Sequence, residues 1–425
     1  MKVLLVAIPY KPAIPIIPIG LLYIAQALGE NGYEYKILDL NFCSDPQSKL
    51  SEALDEYAPD VIGISLRNVA ETEEQNHVYM QLKNFVGASK QYGVVILGGA
   101  GFSIFPKLIL DYSGADFGVV GAGEDKTLYI LRNLTAIKRP SIIYEIESDT
   151  DDILHRGTTE SLKSYWNTYG KYYQLFPTYI PIQAVRGCQY HCSYCSYPII
   201  NRGIKKRDVA DVIEEMDAAY SITKISHFYF VDSVFNMDKD YTMNLMKQLV
   251  LVHHPFFWRC SINPGNINFD FVKLMKESGC IYCEVGVDSF SDEVLKRLGK
   301  SFTSTQAIDL LQMLDKNHIP YSTSLILGGY GETPETLSHT IYTAQKYSSG
   351  SIYAFIGERL YPGTLLQKEL SSNTCDFLYA SPASQYIAPG MKPFLKKWQK
   401  DASPDKWSFI GQGILHEMRD EYCDV

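Results

Sequence analysis

Short apolar runs alternate with helical patterns along the first third of the chain. The apolar runs, each of the kind expected of a strand buried on both faces, cover residues 3–8, 33–38, 61–65, 94–97 and 117–120. Helical patterns lie between them at residues 20–28, 50–57 and 72–86. Strands separated by helices of this length predict parallel pairing in a doubly wound, Rossmann-like sheet.

The same alternation returns in the second half of the chain. Strands are predicted at residues 181–186, 227–232, 256–262, 281–287, 321–327 and 351–356, with helices such as 210–219, 242–252, 271–277 and 304–317 between them. Six such units predict a partial, TIM-like (β/α)6 barrel. The fold class is therefore α/β, with domains expected at residues 1–135 and 177–365, a connector at 136–176, and a small C-terminal region at 366–425 that could cap the active site.

Loops that follow the strands of the first sheet are rich in glycine. Ligands of open parallel sheets bind beyond the carboxyl ends of the strands, where glycine lets backbone approach a ligand closely. Spacing alone does not separate a ligand site from tight strand–helix turns. The candidate positions are Pro18, Ser65, Arg67, Asn68, Gly98, Gly99, Ala100, Gly101, Gly121, Gly123 and Glu124.

Composition narrows the classes of partner. The 425 residues carry 39 basic and 48 acidic side chains, a net charge of −9, so we expect no nucleic-acid partner. No apolar run approaches the roughly 20 residues of a membrane helix, so no membrane span is expected. Nine cysteines, an odd number in a chain without a secretion signal, favour the reduced cytoplasm and a metal or redox role.

Three of these cysteines form the strongest motif. Cys188, Cys192 and Cys195 have the spacing C-x3-C-x2-C on a loop after a predicted strand. Three thiolates can bind three irons of a [4Fe–4S] cluster and leave the fourth iron open to a ligand. A zinc site is the alternative, but zinc requires a fourth ligand, and His191 is awkwardly placed for that role.

The other cysteines of the second half have a simpler interpretation. Cys280 and Cys283 lie three residues apart on a predicted strand, so their side chains are expected to point to opposite faces. We expect both of them, and Cys260, to be buried and inert.

Polar and glycine positions lie on or directly after the barrel strands, where catalytic groups of parallel barrels collect. Glu284 and Asp288 fall at period two, so they are predicted to share one strand face in the barrel interior. The candidate positions are Asp232, Ser233, Arg259, Glu284, Asp288, Gly328 and Gly329.

Several motifs, in order, resemble those of the cobalamin (B12)-binding radical S-adenosylmethionine (SAM) family, especially its class B methyltransferases. The cysteine motif, with the aromatic Tyr194 before its last cysteine, resembles the cluster motif. Residues 286–289 resemble the segment G-[IV]-E-S, with Asp288 in place of Glu, and residues 325–332 resemble the Gly-rich fifth-strand segment. Residues 15–25 resemble P-x-x-P-x-G-x-x-Y-[IL]-A of the B12-binding domain. The resemblance covers residues 1–365.

The resemblance implies three cofactors and a reaction. Cys188, Cys192 and Cys195 would hold a [4Fe–4S] cluster that binds SAM. Electrons would come from a flavodoxin or ferredoxin. A 5′-deoxyadenosyl radical would abstract hydrogen from an unactivated carbon of a small-molecule or peptide substrate. That carbon would take methyl from methylcobalamin, and a second SAM would restore the methyl group.

The same resemblance assigns each candidate residue to SAM or to cobalamin. SAM contacts would come from Tyr194 and the barrel positions Asp232, Ser233, Arg259, Glu284, Asp288, Gly328 and Gly329. Cobalamin would bind at the candidate loop positions of the first sheet. No D-x-H-x-x-G motif occurs, which implies base-off cobalamin without a His ligand. Arg67 is a candidate to lie at the lower face of the cobalamin corrin. An ion pair between Arg67 and Glu71 or Glu73 is an equally weighted alternative.

Three alternatives remain open. The first is a cobalamin-dependent radical SAM enzyme that cyclises or rearranges rings without methyl transfer. The second is a methylthiotransferase, disfavoured because only Cys43 precedes Cys188 and an auxiliary cluster needs three cysteines there. The third is a non-catalytic corrinoid or Fe–S carrier.

Overall fold

The computed structural model describes residues 1–9, 15–67, 75–146, 157–201, 203–254, 256–370 and 384–410. These residues form two compact units. The first contains Met1–Ala184 and Lys205–His227, and the second contains Val185–Ile204 with residues 228–370 and 384–410. Within the described residues, no helix has the length and apolar character needed to cross a membrane.

The first unit begins as an alternation of strands and helices. Apart from a single 3-10 turn at Leu40–Phe42, its elements up to β7 are β1 (Lys2–Ala7), α1 (Ile19–Glu30), β2 (Glu34–Asp39), α2 (Pro46–Tyr57), β3 (Val61–Ser65), α3 (Gln75–Ser89), β4 (Val94–Gly98), α4 (Ala100–Ile104), α5 (Pro106–Ser113), β5 (Phe117–Val119), α6 (Glu124–Arg132), β6 (Ser141–Ile143), α7 (Thr159–Tyr173) and β7 (Ile180–Ile182). All five strands predicted in this part of the chain are present, within two residues at each end.

The first sheet is parallel and has the strand order β2-β1-β3-β4-β5-β6. Strand β1 is apolar and buried along its length, because helices cover both faces of a doubly wound sheet. It pairs with β2 on one side and β3 on the other. The chain therefore changes direction across the sheet at β1, and ligands of such sheets bind beyond the strand ends at that point.

Two elements lie in the segment expected to be a connector. Strand β6 adds a sixth strand to the first sheet, and its three residues are too few to give a periodic signal. Helix α7 packs beside α1. The buried carboxylate of Asp39, at the end of β2, accepts hydrogen bonds from Tyr165 and Tyr173 of α7. This network ties α7 to the sheet.

A buried ion pair joins two distant parts of the first unit. Arg207 and Glu215 pair with side-chain exposures of 2% and 4%. Thr158 donates to Glu215 over 2.7 Å, and Arg207 donates to the carbonyl of Gln183 over 3.2 Å. Both charges are therefore hydrogen-bonded, as buried charges must be if folding is to remain favourable.

The remaining elements alternate in the same way. They are β8 (Val185–Gly187), α8 (Tyr197–Ile200), β9 (Ile204–Lys206), α9 (Val209–Thr223), β10 (His227–Phe230), α10 (Lys239–Leu251), β11 (Phe257–Ile262), α11 (Phe269–Glu277), β12 (Cys280–Asp288), α12 (Asp292–Arg297), α13 (Ser304–Lys316), β13 (Tyr321–Leu327), α14 (Pro334–Tyr347), β14 (Ser351–Ile356), β15 (Glu358–Leu360), α15 (Leu365–Glu369), β16 (Ser384–Tyr386), α16 (Met391–Asp401) and β17 (Trp407–Ile410).

The second sheet has the order β17-β14-β13-β12-β11-β10-β7, and its pairs from β11 to β17 are parallel. This open arrangement confirms the partial barrel. Along β11 and β12, one face is fully buried and the other is half-buried. The half-buried face carries the polar side chains, including Arg259 and Glu284.

The predicted strand at residues 181–186 is divided in the structure. Its first part is β7, which belongs to the large sheet, and its last part is β8, which pairs with β9 in a separate two-stranded sheet. The break falls at Gln183 and Ala184, where the Ala184 carbonyl accepts a hydrogen bond from the amide of Arg207 instead of continuing the ladder. The cysteine loop therefore lies between the two strands of the small sheet.

The expectation for Cys280 and Cys283 was wrong in one respect. Both thiols are buried, but their sulfur atoms lie 3.5 Å apart on one face. A bulge shifts the register between β11 and β12 beside Cys280, so an offset of three residues returns to the same face. Cys260 is buried as expected.

The C-terminal region contributes to the barrel unit. Strand β17 extends the sheet beside β14, and the amide of Ala388 donates to the carbonyl of Gly328 over 2.8 Å. A side chain at Gly328, whose φ is +78°, would meet Leu395 of α16 at 2.7 Å. Residues 388–395 therefore support the Gly-rich loop after β13.

Candidate functional site

The cysteine loop is fixed at several points within the second unit. The amide of Ser193 donates to the Leu298 carbonyl over 2.9 Å, and the Ser193 carbonyl accepts from the Leu366 amide over the same distance. At the start of the loop, Ser233 donates to the Gly187 carbonyl over 2.7 Å. Backbone contacts of this kind hold a ligand loop in shape before anything binds.

Cys188, Cys192 and Cys195 are free and partly exposed. Burial raises the pKa of Cys192, and it raises the pKa of Cys195 to about 11. Charges on the other two cysteines raise the pKa of Cys195 further, which shows that the three sulfur atoms influence one another. Binding to iron would favour the thiolate form that burial disfavours, so this donor set fits an iron–sulfur cluster.

Among the residues that the structure describes, no three His, Cys, Asp or Glu side chains converge to hold a single metal ion. A [4Fe–4S] cluster makes a different demand, because each of three thiolates binds its own iron.

Tyr194, Asp288 and Lys300 form a buried triad beside this loop. Tyr194 donates to Asp288, Lys300 pairs with Asp288, and the Lys300 ammonium lies 3.1 Å from the Tyr194 hydroxyl. Burial is the largest single effect and lowers the pKa of Lys300, but the charges of Asp288, Cys192 and Cys195 and the hydrogen bond to Asp288 together outweigh it, so the net shift is upward. The loop and the end of β12 are therefore joined by charge-assisted hydrogen bonds.

Asp288 reaches this position through an unusual backbone. A register shift precedes it on β12, and its φ is +66°. Because of this bulge, Asp288 is fully buried, whereas Glu284 stays half-buried and has different partners. The two acids predicted to share one face therefore serve separate clusters.

Glu284 belongs to a cluster on the half-buried face of the sheet. It pairs with Arg259 and accepts a hydrogen bond from Ser261 over 3.1 Å. The Arg259 guanidinium lies between the rings of Tyr229 and Tyr282, 4.9 and 5.0 Å from their centroids. A charged pair on this open face is suited to contact a polar ligand.

Asp232 follows β10 and is buried. Burial raises the pKa of Tyr197 to about 12, and the nearby charge of Asp232 contributes to that shift. Asp232 and the adjacent Ser233 thus border the cysteine loop at its two ends.

In the first unit, the candidate loops form a compact cradle. A side chain at Gly99, whose φ is +98°, would meet the Leu66 carbonyl oxygen at 2.5 Å. The Gly101 amide donates to the same oxygen over 2.9 Å, and the Gly121 amide donates to Ser103 over 3.0 Å. The ends of β3, β4 and β5 therefore lie side by side, as the sequence predicts.

Other candidates in this unit occupy the same edge or the start of a helix. Pro18 precedes α1, Ser65 ends β3, Gly98 ends β4, Ala100 begins α4, and Gly123 precedes Glu124, the first residue of α6. Asn68 lies outside the described residues.

Arg67 is exposed just after β3, and its charge lowers the pKa of Tyr173, although burial raises that pKa overall. The Arg67 charge therefore acts near the Asp39 network. Glu71 and Glu73, the alternative partners, are outside the described residues.

Comparisons with known proteins agree with both halves of this description. A B12 binding domain model matches residues 11–129, and a Radical SAM superfamily model matches residues 182–342. The chain is a B12-binding radical SAM protein.

Relatives and a solved structure match most of the chain. An uncharacterized methyltransferase of Pyrococcus horikoshii is 25% identical over 88% of this chain and 84% of its own length. The tryptophan 2-C-methyltransferase of Streptomyces laurentii is 22% identical over 85% and 73%. The radical SAM methyltransferase TsrM of Kitasatospora setae, solved with cobalamin and a [4Fe-4S] cluster, has the same fold. It has a TM-score of 0.79, at 20% identity over 100% of this chain and 93% of its own.

Sequence reasoning missed three charged residues of this B12-binding radical SAM protein. Lys300 lies in a turn after α12, Glu332 in the loop after β13, and Glu358 at the start of β15. Glu332 had a usable signal, because it is the last residue of the Gly-rich segment 325–332, whereas the sequence around Lys300 and Glu358 carries no such motif.

Glu332 and Glu358 are buried carboxylates at the Gly-rich loop. Glu332 accepts from the Gly328 amide, and Glu358 accepts from the Tyr330 amide over 2.8 Å. Each has a second oxygen that is buried without a hydrogen-bond partner. Burial raises both pKa values to about 7.

These two glutamates are expected to make stability depend on pH. In the folded protein each keeps its proton up to about pH 7, whereas the unfolded chain loses it near 4.5. Their contribution is therefore complete below pH 4.5 and is lost as pH rises through 7, by about 3 kcal/mol per group at most. Thermal melting at pH 5.5 and 8.0 measures this effect.

The double variant Glu332→Gln/Glu358→Gln should lose this decline between pH 5.5 and 8.0. Glu335→Gln, in the exposed first turn of α14, serves as the control and should behave as wild type. An unchanged pH profile in the double variant would show that neither carboxyl holds a proton.

Proposed function

We propose that this protein is a cobalamin-dependent radical SAM methyltransferase that methylates an unactivated carbon of a small-molecule or peptide substrate. The observation that carries the proposal is the pairing of two domains in one chain. A B12-binding domain is followed by a radical SAM domain whose three cysteines lie on an anchored loop. Relatives covering most of the chain are methyltransferases by name.

The proposed cofactors supply the difficult chemistry. A [4Fe–4S] cluster with SAM would generate a radical able to remove hydrogen from carbon, and cobalamin would carry the methyl group. Cys188, Cys192 and Cys195 are the proposed cluster ligands. The protein then has to bind, orient and shield these groups.

Polar groups around the barrel strands are proposed to bind SAM and substrate. The proposed SAM contacts are Tyr194, Asp232, Ser233, Arg259, Glu284, Asp288, Gly328 and Gly329. Gly328 and Gly329 are buried against Leu395 and Glu358, so we propose that they act by shaping the loop backbone. Arg259 and Glu284 offer opposite charges on the open face of the sheet.

The proposed cobalamin site is the cradle formed by the ends of β3, β4 and β5, with the start of α1. We propose that Arg67 lies at the lower face of the corrin, where a cation disfavours a lower axial ligand. A flavodoxin or ferredoxin is the proposed electron donor. The reduced cytoplasm suits a protein whose chemistry depends on free thiols.

A matched pair of glycine variants tests the cobalamin half of the proposal. Gly99→Ala and Gly114→Ala both place a side chain at positive φ. At Gly114, in the left-handed region, this costs about 1–2 kcal/mol, whereas Gly99 has φ +98° and ψ 168°, a region essentially restricted to glycine. Only at Gly99 does the new atom meet neighbouring backbone, whereas nothing lies within 4 Å at Gly114. Gly99→Ala should therefore lose bound cobalamin, and Gly114→Ala should retain it.

Two products formed from SAM report on the two domains separately in the same experiment. After anaerobic reconstitution with dithionite, Gly99→Ala should still form 5′-deoxyadenosine but little S-adenosylhomocysteine, the product of methyl transfer to cobalamin. Gly114→Ala should form both. Equal cobalamin content in the two variants would contradict the proposed site.

A further inference from the structure

A buried cation and a buried anion lie next to the cysteine loop. Lys300 and Asp288 pair with side-chain exposures of only 7% and 8%. Lys300 also lies 5.5 Å from the centre of the Tyr194 ring and 5.9 Å from that of Phe302. Few water molecules can screen these charges, so removing either one changes the local field more than removing a surface ion would.

Both charges act on the proposed cluster ligands. Tyr194, the residue before Cys195, donates its hydroxyl to Asp288, and that hydroxyl lies 3.1 Å from the Lys300 ammonium. A side chain at Gly299, next to Lys300, would lie 3.6 Å from the Cα atom of Cys192. A negative charge added near these sulfur atoms is therefore favoured by Lys300 and opposed by Asp288.

The backbone keeps this pair at a fixed distance from the loop. Ser193 donates to Leu298, two residues before Lys300, and a side chain at Gly299 would meet the His191 carbonyl oxygen at 2.9 Å. On the other side, Asp288 is held at positive φ by the bulge in β12. The separation between charges and sulfur atoms is thus built into the fold.

We propose that Lys300 and Asp288 set the reduction potential of the iron–sulfur cluster in opposite directions. Reduction adds one electron and no proton to the cluster, so its negative charge grows by one. Lys300 stabilises that added charge and raises the potential, whereas Asp288 opposes it and lowers the potential. Lys300 is a positioning residue that acts through the cluster environment, and Asp288 acts in the same way in addition to its proposed contact with SAM.

This inference rests on the proposed function, because it requires a cluster on Cys188, Cys192 and Cys195. The test therefore begins with iron and sulfide analysis of the reconstituted full-length protein. A wild-type protein that binds no cluster would contradict the proposed function itself. A protein with a full cluster permits the specific test, whatever its methyltransferase activity.

The test is a redox titration of the cluster, followed by EPR, in the absence of SAM. Lys300→Met should lower the midpoint potential and Asp288→Asn should raise it. Each shift should change the ratio of reduced to oxidised cluster at a fixed potential by about tenfold, which is about 59 mV for a one-electron couple. The double variant should return towards the wild-type value because the two charges are removed together.

Two control variants distinguish an effect of charge on the reduction potential from an effect of disturbed structure. Lys300→Arg keeps the charge and should keep the potential near that of wild type. Lys296→Met removes a cation from an exposed position on α12 and should leave the potential unchanged. A merely structural role would disturb both single variants in the same direction, through lower iron content. Shifts of the same sign, or no shift with a full cluster, would overturn the inference.

Discussion

Replacing Cys192 with alanine is expected to abolish SAM cleavage. Two remaining thiolates cannot hold a cluster that needs three protein ligands and one open iron. Formation of 5′-deoxyadenosine should fall by at least about a thousandfold, because the electron that cleaves SAM is proposed to reach it through the cluster. Iron content and product formation, measured on anaerobically reconstituted protein, check this result.

Cys43→Ala is the matched control for this variant. Cys43 is also free and partly exposed, but it lies outside the cysteine loop, after β2. The Cys43→Ala protein should bind iron and cleave SAM as the wild-type protein does. Zinc in the wild-type protein that is lost from Cys192→Ala, with no iron in either, would instead indicate a zinc site.

Replacing Arg207 with methionine is expected to lower the free energy of unfolding, and this is the largest stability effect that we expect. The change leaves Glu215 buried without its cation, although Thr158 still donates to it. Breaking a buried pair in this way costs about 3–5 kcal/mol. Chemical unfolding followed through the first unit, for example by loss of bound cobalamin, measures the effect.

The double variant Arg207→Met/Glu215→Leu tests the reason for that loss. With both charges removed, the site becomes apolar, and most of the stability should return. Lys107→Met breaks the exposed pair with Asp111 and should cause no measurable change. A double variant as unstable as Arg207→Met would show that packing, rather than the unpaired charge, is the cause.

Most strands of both sheets were predictable because they are short, largely apolar runs bounded by turn residues, although β11 and β12 also carry polar side chains on a half-buried face. Where both faces of a strand are buried, nearly every position has to be apolar. Strand β6 is too short to leave that pattern, and β17 lies in a region whose aromatic residues also fit general core packing. The local sequences of β6 and β17 do not indicate which distant strand each of them pairs with.

The candidate site was predictable where chemistry requires fixed spacing. The cysteine motif is local, so sequence alone identified it. Lys300, by contrast, reaches the site because a bulge buries Asp288 and a tight turn at Gly299 packs on the cysteine loop. The thiol contact between Cys280 and Cys283 depends on a bulge as well. Bulges change which residues share a face, and strand periodicity cannot foresee them.

The measurement that tests the central claim most directly is cobalt content with methyl tracing. The protein is prepared anaerobically with cobalamin supplied, and its Co(II) EPR spectrum is recorded. It is then incubated with SAM labelled with deuterium in the methyl group. We expect about one cobalt per chain, a base-off spectrum, and the label on the bound cobalamin. An intact, SAM-cleaving cluster without cobalt would contradict the claim, because no carrier of the methyl group would then be present.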